Sequence, residues 1–529
     1  MSIVRSTRWR GRSIASGRLV RLPGRSTEDL RLTPATANAV ATFPAPDLAG
    51  FLASIRGALP AECILACEDQ TRAYECDGLP LFRELPPVVV LPEDEPQLIA
   101  VLNACRAHHV PIVPRGAGTS LSGGATPHPQ GVVIGMAKFN RILGLDPERA
   151  IAIVQPGVRN LAISEAAAPH GLYYAPDPSS QIACSIGGNV AENAGGVHCL
   201  KYGLTVHNVL GLRIVTIEGE VLELGGEAPD APGLNLLPFF VGSEGMLGMV
   251  TAVTVKLLPR PELARVIMAS FASVEQAGEA VTRVIAAGVI PAGLELMDQR
   301  AVRLVEPFVH AGYDLDAAAI LLCESDGTAE EVAGETSRVA AIMAAAGAIR
   351  VQVSASEEER LRFWAGRKNA FAAAGRISPD YYCMDGTIPR RHLARVLGAI
   401  ADMEKTHGLA CSNVFHAGDG NLHPLILFDA NEPDEVERAR AFGAAVLELC
   451  VEVGGTITGE HGVGIEKVDQ MCFQFSRAEL DAFAAAKRAF DPYGLLNPLK
   501  VIPTLARCAE YGRMHVHRGE LSFPNIPRF

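Results

Sequence analysis

Long apolar runs are missing from this chain of 529 residues. No stretch reaches the ~18 residues of a membrane-spanning helix, so no such segment is expected. Aromatic residues are scarce, at 6% with 2 Trp, which argues against a surface that stacks bases or sugars. A net charge of −12 repels nucleic acid and anionic membrane, so neither is an expected partner. The 12 Cys are scattered, and Cys63 and Cys67 are the closest pair. There is no Cys-x-x-Cys, which excludes a zinc ribbon and a bacterial-type iron–sulfur run. Reduced, mostly buried thiols of a cytosolic protein are expected instead. Acids are absent before Glu28, while Arg5, Arg8, Arg10, Arg12, Arg18, Arg21 and Arg25 crowd that stretch. It has no apolar segment for a secretory signal, and a disordered basic extension is the preferred reading over a transit segment.

What is present points to a globular, turn-rich chain. Apolar residues are 48% and charged residues 20%, with 51 Gly and 35 Pro in no period, enough to bury a sizeable core. From Pro86 to Leu258 the pattern reads as an α/β region. Strands are expected at 87–91, 110–113, 132–134 and 151–158, a helix opens at Glu93-Asp94, and a hairpin turns at Glu218-Gly219. A linker is expected at Leu258-Pro259-Arg260-Pro261. Beyond it, helices at 274–288, 328–347, 357–375, 390–408 and 432–450 alternate with strands at 317–323, 349–354, 381–385, 411–416 and 422–428. That reads as a second region, an antiparallel sheet with helices on one face. The fold class is therefore α+β.

Residues 114–126 hold four Gly, two Thr and two Ser, and no Asp or Glu occurs from Gly116 to Leu145. A donor-rich, acid-free loop after a strand is a place for a phosphate or pyrophosphate. It is not a P-loop, since Gly123-Gly124-Ala125 stands where Gly-Lys-Ser/Thr is needed. It is not a Rossmann fingerprint, since Leu121 replaces the third Gly and the ribose acid is missing. Pro176 to Gly196 and Gly242 to Gly248 are two further Gly-rich stretches. Three such segments with few large side chains fit backbone enclosing an extended ligand.

Pro114 to Gly124, Pro176 to Gly188, Asn189 to Gly196 with Lys201-Tyr202-Gly203, and Gly242 to Gly248 resemble the vanillyl-alcohol-oxidase/p-cresol-methylhydroxylase family of flavoproteins. The resemblance covers about residues 45–529 and is strongest to the branch of bacterial glycolate oxidase FAD-linked subunits and of D-lactate and D-2-hydroxyglutarate dehydrogenases. It implies four parts: a basic extension at 1–45, a two-lobed FAD-binding domain of the p-cresol-methylhydroxylase type at 46–262, a substrate domain at 263–505 and a tail at 506–529. Some relatives bind FAD covalently through a His; no strong candidate His stands in this sequence, so noncovalent FAD is expected. Pro114, Arg115, Gly116, Ala117, Gly118, Thr119, Ser120, Ser122, Gly123 and Gly124 would wrap the pyrophosphate. Pro176, Asp177, Ser179, Ser180, Gly187, Gly188 and Asn189 would line the flavin and its ribityl chain, with Asn193, Gly195 and Gly196 following. Glu244, Gly245 and Val250 would sit by the adenine half, and Asn497 would close over the flavin.

The second chemical cluster is Phe415-His-Ala-Gly-Asp-Gly-Asn-Leu-His-Pro424. Asp419-Gly420 is a preferred two-residue hairpin turn. A hairpin centred there places His416 directly opposite His423, with Cβ atoms ~4.5–5.5 Å apart, close enough to share a metal. Glu460, set between glycines in Thr-Gly-Glu-His-Gly, is a candidate third ligand. In the relatives the matching His, His and Glu hold a divalent metal (Zn, Fe, Mn or Co suit the set alike), and the next His, here His461, is the base. Arg367 matches the Arg that binds the substrate carboxylate. A Lys that binds a distal carboxylate in the D-2-hydroxyglutarate enzymes is matched by Cys383, which favours a small monocarboxylate.

The resemblance implies FAD-dependent oxidation of a 2-hydroxy acid, glycolate to glyoxylate first and D-lactate second. A flavin-dependent alkyl transferase and a noncatalytic flavin subunit are the alternatives. It also implies a second flavin-domain subunit and an iron–sulfur subunit as partners, in the cytoplasm or peripheral at the inner membrane through them.

Overall fold

The computed structural model describes residues 45–226 and 233–503, with the backbone of two short strands at 516–517 and 520–521. The basic extension and most of the tail lie outside these residues.

Two small sheets form the first half. In one, Val88–Val90, Val132–Gly135 and Ile112–Arg115 run parallel, and Ile64–Leu65 adds an antiparallel edge. The Glu95–His108 helix covers it. Asp94 caps that helix by accepting from Gln97 N at 2.9 Å, and Pro96 sits in its first turn, where an N–H has no partner to lose. In the other, Ile142–Asp146, Ile151–Val154, Met249–Lys256, Val209–Val215 and Val221–Gly225 are all antiparallel. The last two form the hairpin expected about Glu218-Gly219. Leu495 O accepts from Ile112 N at 2.7 Å, so the segment after the Arg477–Phe490 helix returns to the first sheet.

A seven-stranded antiparallel sheet organises the second half. Its order is Ala348–Val353, Leu263–Phe271, Ala319–Gly327, Gly293–Asp298, Cys411–His416, Asn421–Phe428 and Asp380–Cys383. The expected linker is itself paired, Leu258 with Tyr173 and Pro259 with Leu172.

Helices cover this sheet on both faces, not on one as the pattern led us to expect. Ile267, Ala269, Leu294, Leu296 and Leu321 pack beneath helices Val274–Ala286, Ala329–Ala345, Leu393–His407 and Pro433–Glu452. The alternate residues Val266, Met268, Met297, Ile320 and Leu322 pack with Gln299–Val309 and Glu357–Ala374. Successive strand side chains point to opposite faces, so the unbroken burial of Ala319 to Asp326 requires cover on both. The strands Leu263–Phe271 and Gly293–Asp298 and the helices Gln299–Val309 and Arg477–Phe490 were not expected. The last carries a capping box in which Ser476 and Glu479 satisfy each other's backbone N–H, a readable signal.

Among the described residues ten cysteines are free, seven of them buried. Cys472 is disulfide-bonded, against the expectation of reduced thiols throughout.

Candidate active site

One face of the seven-stranded sheet carries the polar cluster. Directly opposed residues share a face, and Val414 opposes His423 while His416 opposes Asn421. The pairing differs from the expected one. The loop spans four residues, Ala417 to Gly420, with Gly420 N donating to His416 O at 2.9 Å. His416 and His423 are therefore diagonal neighbours. They still share a face because the pairing slipped by two residues, a full side-chain period. Their ring centroids are 4.9 Å apart.

Glu460 arrives from the loop after Ile457. Its Oε1 lies 3.2 Å from His416 Nε2 and 2.9 Å from His423 Nε2. The outer ring nitrogens face acceptors: His416 Nδ1 meets Glu295 Oε1 at 2.8 Å, and His423 Nδ1 faces Met384 O at 3.4 Å. Donors pinned outward leave lone pairs on both Nε2 atoms pointing at a carboxylate oxygen. Three acceptors cannot converge without a cation or proton between them. The ligand atoms lie within 4.8 Å of one another, so this donor set fits a divalent cation. Burial pulls His416 down, but Glu295 and Glu460 outweigh it and hold it well above the usual imidazole range. Burial raises Glu460, but the two histidines outweigh it and hold it well below the usual carboxylate range.

Arg367 is 2% exposed. It projects from the Glu357–Ala374 helix, which Ser356 caps by accepting from Glu359 N at 3.2 Å. Glu357, Glu358 and Glu359 complement the helix dipole in its first turn. Arg367 Nε donates to Glu295 Oε2 at 2.7 Å, so Glu295 bridges Arg367 and His416.

His461 stacks on His423 with centroids 4.9 Å apart and planes 10° apart. Its Nδ1 is buried without a hydrogen-bond partner. Burial pushes its pKa down to about 4, so the ring is neutral near pH 7. Asp385 sets the loop. It accepts from the N–H groups of Gly459, Glu460 and His461 and from Thr458 Oγ1, at 2.6–3.1 Å. Lys467 Nζ donates to it at 3.1 Å. Burial raises Asp385, but Lys467 and the histidines outweigh that and hold it below the usual carboxylate range.

A cavity of about 450 Å³ joins this face to the glycine-rich segments. Arg367, His423, Glu460 and His461 line one part. Pro114 to Ser120, Gly124, Ser179, Ser180, Gly187, Gly188, Asn189, Gly195, Glu244, Gly245 and Val250 line the rest. Gly195 admits no side chain, because a Cβ there would lie 2.4 Å from Glu460 Oε2. His416 sits behind Glu460, outside the lining.

Other residues expected on the cofactor stand behind this wall. Ser122 O accepts from Ile465 N and Glu466 N, and Gly123 packs on Ile465. Pro176 O accepts from Asn160, Asp177 pairs with His198 at 2.7 Å, and Gly196 packs on Asp177. Asn193 caps Val206 N. Asn497 donates to the carbonyls of Gly124 and Glu244, and so staples two walls from outside.

Glu244 ties the two halves together by accepting from Val463 N at 2.7 Å and Gly464 N at 2.8 Å. Burial raises it to about 7. Sequence reasoning passed over Glu295, Asp385 and Lys467. The available signal was an isolated charge in an apolar context, as in Gly293-Leu-Glu-Leu-Met297, since such a charge must find a partner.

The chain matches two family models in succession: the FAD binding domain at residues 86–225 and the C-terminal domain of FAD linked oxidases at residues 260–501. It is 60% identical to the glycolate oxidase subunit GlcD of Escherichia coli K12, over 92% of this chain and 98% of that protein. It is 40% identical to the Bacillus subtilis GlcD, over 82% and 93%. The mitochondrial D-lactate dehydrogenase [cytochrome] of Arabidopsis thaliana is 30% identical, over 79% and 74%. Among solved structures, p-cresol methylhydroxylase shares the fold with a TM-score of 0.74 at 18% identity, over 86% of this chain and 97% of that one.

Proposed function

The chain belongs to the family of FAD-linked oxidases, and from that premise we propose that it oxidises a small 2-hydroxy acid, glycolate to glyoxylate, with D-lactate as the second substrate. It is an FAD-dependent oxidoreductase of the p-cresol-methylhydroxylase type. The observation that carries the substrate class is the convergence of His416, His423 and Glu460, the last two on one cavity wall with Arg367 and His461.

FAD held against the glycine-lined part of the cavity would supply the hydride acceptor, and a divalent cation held by His416, His423 and Glu460 would supply a Lewis acid for the substrate hydroxyl. Arg367 receives the substrate carboxylate on the edge of its guanidinium that Glu295 leaves free. His461, neutral because it is buried, takes the hydroxyl proton. The hydroxyl oxygen gives its proton to His461, C2 would give its hydride to the flavin, and the C2–O bond becomes the carbonyl of the 2-oxo acid. Asp385 holds the 458–461 backbone so that Glu460 and His461 keep their places. The glycine-rich segments supply backbone N–H groups for the cofactor's pyrophosphate.

Residues 46–262 act as the FAD-binding domain, 263–505 as the substrate domain and 506–529 as the tail. The GlcD relatives are named as subunits, which supports assembly with other chains. A second flavin-domain subunit and an iron–sulfur subunit would take the electrons, in the cytoplasm or at the inner membrane through those partners. No helix among the described residues is long and apolar enough to cross a membrane.

Anaerobic addition of glycolate or D-lactate to the FAD-loaded protein should bleach the flavin, and prior treatment with a chelator should slow it. A flavin that no short 2-hydroxy acid reduces would overturn this reading.

A further inference from the structure

The sheet face that bears Glu295, His416 and His423 continues toward its edge strand. There Cys383 opposes Leu425 and Tyr381 opposes Leu427. Beyond the histidines the face becomes apolar: Ala374, Cys383, Leu425 and Leu427 form a buried cluster against which Phe371 and Tyr381 pack. The Glu357–Ala374 helix lies above. Arg367 and Phe371 are four residues apart on it, so they share a side and are separated by roughly one turn, ~5.4 Å. The Phe371 and Tyr381 rings meet edge to face, with centroids 5.9 Å apart and planes at 63°. Both rings line the cavity, with Ala372 and Lys368. Cys383 fixes which end of the cavity this is, because its Sγ lies within 4.8 Å of ring nitrogens of His423 and His461.

We propose that the Phe371–Tyr381 pair is the wall that sets the chain length of the 2-hydroxy acid. The proposal rests on the functional reading above and adds the feature that selects among 2-hydroxy acids. With the carboxylate on Arg367, a C2 substituent directed along the helix has only the space before the Phe371 ring, which is borne about one turn further on. Hydrogen or methyl fits that space, and a propyl or butyl group does not. The wall also rejects a second carboxylate, which would be desolvated against two rings without a partner. Lys368 lines the same cavity, is exposed and has no polar partner among the described residues. It is the cation to which such a carboxylate would otherwise turn, so a dicarboxylate belongs in the test.

The test is anaerobic stopped-flow flavin reduction in the holoenzyme with glycolate, D-lactate, D-2-hydroxybutyrate, D-2-hydroxyhexanoate and D-2-hydroxyglutarate. Wild type should reduce at least tenfold faster per molar substrate with glycolate or D-lactate than with D-2-hydroxyhexanoate. Phe371→Ala should raise the hexanoate-to-glycolate ratio at least tenfold. Ala372→Leu, which narrows the same end, should lower the lactate-to-glycolate ratio severalfold. If Phe371→Ala does not fold, Phe371→Leu and Ala372→Leu decide the matter by the direction of their ratios. Ratios that stay put while glycolate still bleaches the flavin overturn the wall alone. Fast reduction by D-2-hydroxyglutarate also overturns it, by giving Lys368 the distal carboxylate. A wild-type flavin that no acid bleaches removes the functional reading and the wall with it.

Discussion

The two sides of the cavity are built by opposite means. The cofactor side is mostly backbone: Gly116, Gly118, Gly124, Gly187, Gly188 and Gly195 bring peptide groups to the surface. The substrate side is side chains, most of them fixed by a second charged residue behind. Glu295 holds Arg367 and His416, Asp385 holds the loop of Glu460 and His461, and Lys467 neutralises Asp385. A backbone wall tolerates the loss of one contact, because its many N–H groups share the ligand. A side-chain wall depends on single atoms, and its supports are buried charges that are expensive to leave unpaired.

The largest effect should come from the substrate side. His461→Ala should slow flavin reduction by roughly 10²–10⁴-fold, the usual worth of a general base, while the protein stays yellow. A colourless variant would mean the two sides are not separable. Asp385→Asn removes one of the two carboxylates, with Glu466, that face fully buried Lys467 and should cost about 3–5 kcal/mol in denaturant unfolding. A loss near zero would show that the loop holds itself.

Glu295→Gln should weaken metal retention about 10–100-fold, the usual cost of losing an outer partner of a ligand, read as metal content after graded chelation. Flavin content should not change, since Glu295 does not line the cavity.

The pH behaviour sharpens the same contrast. Burial lowers His461 to about 4 in the folded protein, against ~6.5 unfolded. The stability it contributes is present above pH ~6.5 and is lost as the pH falls through the folded value, because the unfolded chain binds the proton first. Flavin reduction should therefore show no inflection near 6.5 from this residue. An inflection there that disappears in His461→Ala would overturn its burial. The smallest effect belongs to Ser356→Ala, which removes the cap of the Arg367 helix and should cost about 1 kcal/mol with the flavin spectrum unchanged.

The cofactor side was the more legible in sequence because glycine is its own signal: a run of Gly, Ser and Thr after the Ile112–Arg115 strand announces exposed N–H groups locally. Even there, Ser122, Gly123, Asp177 and Asn497 stand behind the wall, since composition does not say which way a loop residue faces. On the substrate side, the residue types of His416, His423 and Glu460 were readable, but not their pairing. A two-residue turn and a four-residue turn leave the same histidines on the same face, so the sequence pattern did not distinguish them.

The chain by itself settled many of the elements and which residue types carry chemistry, because helix caps, strand alternation and glycine loops act over a few neighbours. Tertiary structure alone decided that Glu295, Asp385 and Lys467 would support residues from 72 to 121 positions away. Buried charges take whatever partner the packed sheet and helix bring within reach, and sequence separation does not limit that choice.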